Sequence, residues 1–143
     1  MNIMLVEDNA TDVLFLKQAL ENGPESTTLQ VLDSGDKATA HLWDALRRYP
    51  ADLPDIILLD LNLPGKDGFE VLGEVKSEDR LKTIPVIVVS TSSSSTDVER
   101  AYKLHANGYI VKPSDFIEFE RIAEALLSFW GREVTYPVRD GVP

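Results

Sequence analysis

Residues 55–68 read DIILLDLNLPGKDG, from Asp55 to Gly68. Ile56 to Leu59 is an apolar run too short for a helix, bounded by Pro54 and Pro64 and half β-branched, so it predicts a strand buried on both faces. Asp60 closes that strand. In an open parallel sheet, ligands bind at the carboxyl ends of strands, which puts Asp60 where a carboxylate meets chemistry. An isolated LLD would more often be a strand end whose Asp caps a turn. The rest of the chain decides between the two readings.

Working outward, the same pattern recurs. Asn2 to Val6 predicts a first strand that stops at Glu7-Asp8, followed by a helix from Ala10 to Glu21 with Asn9 or Thr11 as cap and Gly23-Pro24 as its stop. Leu29 to Leu32 predicts a second strand, and Asp36 to Tyr49 a helix with Ala38, Leu42, Ala45 and Leu46 on one face. After Asp60, Asp67 and Glu70 have capping-box spacing for a third helix, with Val71, Leu72 and Val75 inward. Val86 to Val89 and Tyr109 to Val111 predict the fourth and fifth strands, ending in Ser90 and in Lys112-Pro113. Between them Thr96 to Leu104 is a thinly apolar helix, expected to be marginally held. Asp115 and Glu118 open the last helix, in which Ile122, Ala123, Leu126, Leu127 and Trp130 form the stripe.

Strand and helix alternating five times predict an α/β fold, a doubly wound parallel sheet with helices on both faces. In the flavodoxin-like order 2-1-3-4-5, the first and third strands adjoin at the switch point. Glu7, Asp8 and Asp60 then meet in one crevice. Three neighbouring carboxylates cannot all stay ionised and dry without a cation, and an all-oxygen site suits Mg²⁺, with Mn²⁺ an alternative. Glu7-Asp8 also argues against a phosphate-cradling nucleotide loop, which would be rich in Gly or hydroxyls. Ser90 and Lys112, from strands four and five, are placed at the same rim. A hydroxyl, an ammonium and a divalent cation around a carboxylate are what a phosphoryl group needs as it is transferred to that carboxylate.

Composition excludes other classes. With 14 Lys plus Arg against 24 Asp plus Glu, the formal charge of -10 repels a nucleic-acid backbone. There is no cysteine, and no apolar run approaches the ~20 residues of a membrane span. No basic leader precedes the first strand, so a cytoplasmic protein is expected. The Ser tract from Ser92 to Ser95 leaves too little chain beyond it for a second core. One domain over residues 1–130 is expected, with residues 131–143 as a carboxyl-terminal arm and no output domain.

ED after the first strand, LLDLNLPGKDG around the third, VVST at the fourth and GYIVKP at the fifth resemble, in order and spacing, the receiver domain of two-component response regulators, whose fold is CheY-like with five helices. The resemblance covers about Asn2 to Trp130. It implies Asp60 as phosphoacceptor and Asp8 as a direct Mg²⁺ ligand, with Glu7 a ligand through water and Asn62 through its backbone carbonyl. Lys112 would contact the phosphoryl group, Ser90 would be the switch hydroxyl and Tyr109 the switch aromatic. Ser90 and Thr91 point to opposite faces of a strand, and the spacing to Pro85 and Lys112 in the family pattern selects Ser90, with Thr91 the fallback. The long second helix, the KLH ending in His105 and the extension after SFW resemble the stand-alone regulators paired with bacterial and cyanobacterial phytochromes. A sensor histidine kinase of phytochrome type is therefore the expected donor. A homodimer through the fourth and fifth helices, the fifth strand and the arm is expected too, with Phe129, Trp130 and Tyr136 as interface candidates. A phosphatase of haloacid-dehalogenase type is the alternative, but it would carry an acid where Asn62 stands. A pseudo-receiver would lack part of the charged set.

Overall fold

The computed structural model describes residues 1–22 and 26–139. Its strands are β1 (Asn2–Val6), β2 (Thr28–Leu32), β3 (Ile56–Leu59), β4 (Val86–Ser90) and β5 (Gly108–Val111). All pair in parallel, in the order β2-β1-β3-β4-β5. The helices are α1 (Ala10–Glu21), α2 (Gly35–Arg48), α3 (Gly68–Ser77), α4 (Ser95–Lys103) and α5 (Phe116–Ser128). The doubly wound, CheY-like architecture expected from the alternation is the one observed.

β3 and β4 are buried along their whole length because both faces are covered, whereas β2, at an edge, is mostly exposed. Alternate residues of each strand serve opposite layers. Met4, Val6, Ile57, Leu59, Val86 and Val88 face α2, α3 and α4. Ile3, Leu5, Ile56, Leu58, Ile87 and Val89 face α1 and α5, where Phe15 meets Phe116 and Phe119 edge-on at 5.7 and 5.8 Å.

Each helix starts on a polar cap that frees its first turn from water: Asn9, Ser34, Asp67, Ser94 and Asp115 accept from the backbone N–H three residues on. Thr11 does not cap α1. The Ser tract had hidden the start of α4, because four consecutive hydroxyls are equivalent caps until packing chooses Ser94. The proposed stop of α1 at Gly23-Pro24 lies outside the described residues. The connection from α2 to β3 contains a single 3₁₀ turn, Pro50–Asp52, and α5 runs on into one π turn, Phe129–Glu133, closed by Val134 N–H to the Phe129 carbonyl at 3.1 Å. Neither turn has a periodicity signal of its own.

The arm then folds back beneath the sheet. The Tyr136 hydroxyl donates to the Trp130 carbonyl at 2.6 Å and lies 3.5 Å from the Met1 sulfur. Arg139 donates to the Pro54 carbonyl at 2.8 Å and stands 3.9 Å from Asp55. Trp130 packs against the α1/α5 layer, while Phe129 is 55% exposed and Val138 86%.

Candidate functional site

Two backbone constraints bring the acidic residues together. The Asp60 N–H bonds the Val6 carbonyl at 3.0 Å, so the end of β3 is tied to the end of β1, and Glu7 follows directly. Gly68, at the start of α3, lies against the Asp60 backbone; a Cβ there would collide with the Asp60 carbonyl oxygen and the Leu61 Cα. The loop can fold over Asp60 only with glycine at that point. At its tip Gly65 has φ +68, the left-handed region that glycine enters at little cost.

Glu7, Asp8 and Asp60 each offer an oxygen within 4.8 Å of the others. Glu7 and Asp60 are buried, and Asp8 is exposed at the mouth. Lys112, with a side chain only 6% exposed, reaches in from the end of β5. Its Nζ stands 2.7 Å from Glu7, 3.0 Å from Asp12 and 3.6 Å from Asp60. Asp12 was absent from the sequence reading, which took the first turn of α1 only for its apolar stripe. Its signal was there: Asp12 follows Asp8 by one helical turn, where an acid also complements the helix dipole.

Burial pushes the Glu7 carboxyl up to about 7, with Lys112 opposing the rise and Asp60 adding to it. Asp60 is raised as well, chiefly by burial, against the pull of Lys112 and of the Asn62 and Leu61 backbone. Burial alone would lower Lys112, but its bonds to Glu7 and Asp12 more than offset this and raise it. The crevice is thus short of positive charge. One buried ammonium answers several carboxylates, and removing a partner from such a group leaves an uncompensated charge. All the donors at hand are oxygens, the set a hard divalent cation takes, and the exposed Asp8 edge gives it a way in.

Ser90 is fully buried and Thr91 exposed, so of the two adjoining hydroxyls only Ser90 faces inward. Its Oγ accepts the Ser92 N–H at 3.2 Å, and the Lys112 N–H bonds the Ser90 carbonyl at 2.7 Å. Tyr109 is partly buried and donates its hydroxyl to the Ser92 carbonyl at 2.8 Å. The Asn62 side chain is exposed, in the loop leaving Asp60.

The sequence pattern of the response regulator receiver domain matches residues 3–124. The chain belongs to that family. It is 38% identical over 135 residues to the response regulator Rcp1 of Synechocystis sp., spanning 94% of this chain and 92% of Rcp1. It is also 38% identical over 131 residues to FilR2, a probable methanogenesis regulatory protein of Methanothrix harundinacea, spanning 90% of this chain and 82% of FilR2. Among solved structures, the phosphorylated cyanobacterial phytochrome response regulator RcpA superposes with a TM-score of 0.88 at 41% identity, covering 96% of this chain and 98% of RcpA. The Mn²⁺-bound form of Rcp1 superposes with a TM-score of 0.87 at 38% identity, covering 96% of this chain and 99% of Rcp1. The receiver architecture is therefore common ground between this chain and its relatives, and the Glu7, Asp8 and Asp60 cluster is a candidate site for a divalent cation. No described helix is long and apolar enough to cross a membrane.

Proposed function

We propose that the protein is a cytoplasmic response regulator that accepts a phosphoryl group on Asp60 from a sensor histidine kinase, in a Mg²⁺-dependent reaction, and signals by association. The observation that carries this reading is the meeting of Glu7, Asp8 and Asp60 around the Lys112 ammonium. Glu7, Asp8, Asp60 and the Asn62 carbonyl would hold Mg²⁺, which supplies the positive charge that an incoming phosphoryl group requires beside carboxylates. An Asp60 carboxylate oxygen forms the new bond to phosphorus as the donor's nitrogen–phosphorus bond breaks, and the freed imidazole keeps the electron pair. Lys112, already 3.6 Å from Asp60, exchanges one carboxylate for a phosphoryl oxygen. Ser90 offers its hydroxyl to another such oxygen, and Tyr109 follows the displaced loop. The haloacid-dehalogenase alternative is disfavoured because Asn62 has no proton to give or take.

A phytochrome-type kinase is favoured by the likeness to RcpA and Rcp1 over nearly the whole of all three chains. The receiver unit is taken as residues 1–130 with 131–143 as an arm. Association would use α4, β5, α5 and the arm, and a groove of about 450 Å³ between β5 and α5, bordered by Tyr109, Ile122 and Trp130, offers it an apolar floor. Phe129 is the interface candidate whose ring stands in solvent, whereas Trp130 and Tyr136 also serve their own domain.

Incubation with acetyl phosphate and Mg²⁺, followed by intact-mass analysis and peptide mapping, should give one phosphoryl adduct on Asp60. Asp60→Asn should abolish it with the fold unchanged, and labelling of that variant at the parental level overturns the assignment. Lys112→Ala should keep Mg²⁺ binding and lose the conformational response. Deleting residues 131–143 should weaken association measured by light scattering.

A further inference from the structure

At the end of β4 the chain passes from Ser90 to Ser92, and every polar atom of Ser92 is engaged. Its N–H meets the Ser90 hydroxyl at 3.2 Å, and its carbonyl accepts the Tyr109 hydroxyl at 2.8 Å. Its own hydroxyl accepts the Ser94 N–H at 3.3 Å and donates its single proton to Asp97 at 2.7 Å. Asp97 sits in the first turn of α4, where an acid ordinarily does no more than complement the helix dipole. Here its carboxylate is turned back onto the loop. A hydroxyl bonded to a carboxylate makes one of the stronger hydrogen bonds available, about twice a neutral one. The remaining grip of α4 on the body is slight, since Ala101 is its one fully buried residue.

We infer that Asp97 is a positioning residue that acts through Ser92: by holding the Ser92 hydroxyl it fixes the carbonyl that Tyr109 binds and the N–H that meets Ser90. The start of α4, the buried hydroxyl of the crevice and the Tyr109 ring then move as one unit, although Asp97 touches neither Asp60 nor the acidic cluster. A plain helix-end charge would not link them. The coupling to phosphorylation rests on the function proposed above, but the bond network itself can be tested without any phosphoryl group.

The decisive variants are Asp97→Ala, Asp97→Asn and Ser92→Ala, alone and combined, in the full chain. Without ligand, Asp97→Ala should shift the Tyr109 ring resonances and the Ser92 amide, with the ratio of bonded to free Tyr109 conformers falling about tenfold, the loss expected for a bond to a charged group. Asp97→Asn keeps an acceptor oxygen, though a neutral one, and should recover a large part of the shift lost in Asp97→Ala, and Ser92→Ala combined with Asp97→Ala should shift no further than either alone. A mere dipole role predicts the reverse: Asn as harmful as Ala, and effects that add. Either of those results, or unmoved Tyr109 signals in Asp97→Ala, overturns the inference. On adding beryllofluoride and Mg²⁺, amides beside Glu7, Asp8 and Asp60 should respond in every variant, while those of residues 96–104 and Tyr109 should fall out of step in Asp97→Ala alone and in Ser92→Ala. A parent that ignores beryllofluoride counts against Asp60 as acceptor and leaves the ligand-free shifts to judge Asp97.

Discussion

α5 and α4 flank the same edge strand, yet they are held in opposite ways. α5 buries Phe119, Ala123, Leu126 and Leu127 and packs along α1, with Phe15 wedged edge-on between Phe116 and Phe119. α4 buries Ala101 and relies on bonds at its ends, together with Arg100 stacked 4.0 Å over the Phe69 ring. Side chains interlocked in a core resist displacement because each vacated volume loses contacts on all sides. A helix tied by a few polar bonds can exchange them for others at small net cost. The first arrangement suits a fixed wall behind the crevice. The second suits an element meant to shift when charge in the crevice changes.

The contrast predicts a large asymmetry in stability. Phe119→Ala should cost about 3–5 kcal/mol, the range for opening a core cavity at an aromatic, while Tyr102→Ala on the exposed side of α4 should cost within ~0.5 kcal/mol. Urea unfolding of the two variants measures both. A loss at Tyr102 as large as at Phe119 would remove the distinction between wall and moving part.

The crevice itself provides a pH test of intermediate size. Glu7 is raised in the folded, metal-free protein from 4.5 to about 7, so between those values the native state holds a proton that the unfolded chain has released. The associated stability is complete below pH 4.5 and is lost as pH rises through 7, for a fall on the order of 3 kcal/mol. Glu7→Gln should flatten that decline. Saturating Mg²⁺ should flatten it too, because a cation among the carboxylates removes the reason for the raised pKa. A metal-free protein equally stable from pH 5 to 8 would contradict the assigned burial.

A smaller effect is expected at the opposite rim of the sheet. Burial and the nearby Asp55 hold the Tyr136 hydroxyl up to about 12, so the docked arm keeps a proton that a free tyrosine releases near pH 10. Docking should therefore weaken as pH rises from 10 towards 12, read by Trp130 fluorescence. Tyr136→Phe should lose about 1 kcal/mol of docking at neutral pH and show no such alkaline transition.

Most of the scaffold was legible because its strands are uninterrupted apolar runs ending in chemically distinct residues. Asn2 to Val6 and Ile56 to Leu59 coincide with β1 and β3 to the residue. The edge strands were read one residue short: β2 begins at Thr28 and β5 at Gly108, because a strand exposed on one side needs no apolar first residue. Convergence of Glu7, Asp8 and Asp60 followed from strand order alone. Asp12, Ser92 and Asp97 did not, since each matters through a partner: Lys112 is a hundred residues from Asp12, and Ser92 reaches Tyr109 across seventeen. The arm was obscure for the same reason. Phe129, Trp130 and Tyr136 suggested an interface, but Tyr136 is bonded to the Trp130 carbonyl and Arg139 is tied to Pro54 and Asp55 at the entry of β3.

The smallest effect concerns how α4 ends. Ala106 N–H bonds the Ala101 carbonyl at 3.0 Å and His105 N–H bonds the Tyr102 carbonyl at 2.9 Å, a Schellman closure that puts His105 at φ 72. That backbone region costs a side-chain-bearing residue free energy that glycine does not lose, and His105 is exposed with no packing to forfeit. His105→Gly should therefore stabilise the protein, by no more than ~1 kcal/mol, because glycine also widens the unfolded ensemble and returns part of the gain. The urea midpoint should rise with an unchanged slope. Since the closure fixes only the carboxyl end of α4, the amino-end bonds from Ser92 to Asp97 and Tyr109 should keep their ligand-free chemical shifts. If the midpoint falls instead, the imidazole holds that turn by a contact worth more than the left-handed penalty, and α4 is tied down more firmly than its single buried alanine implies.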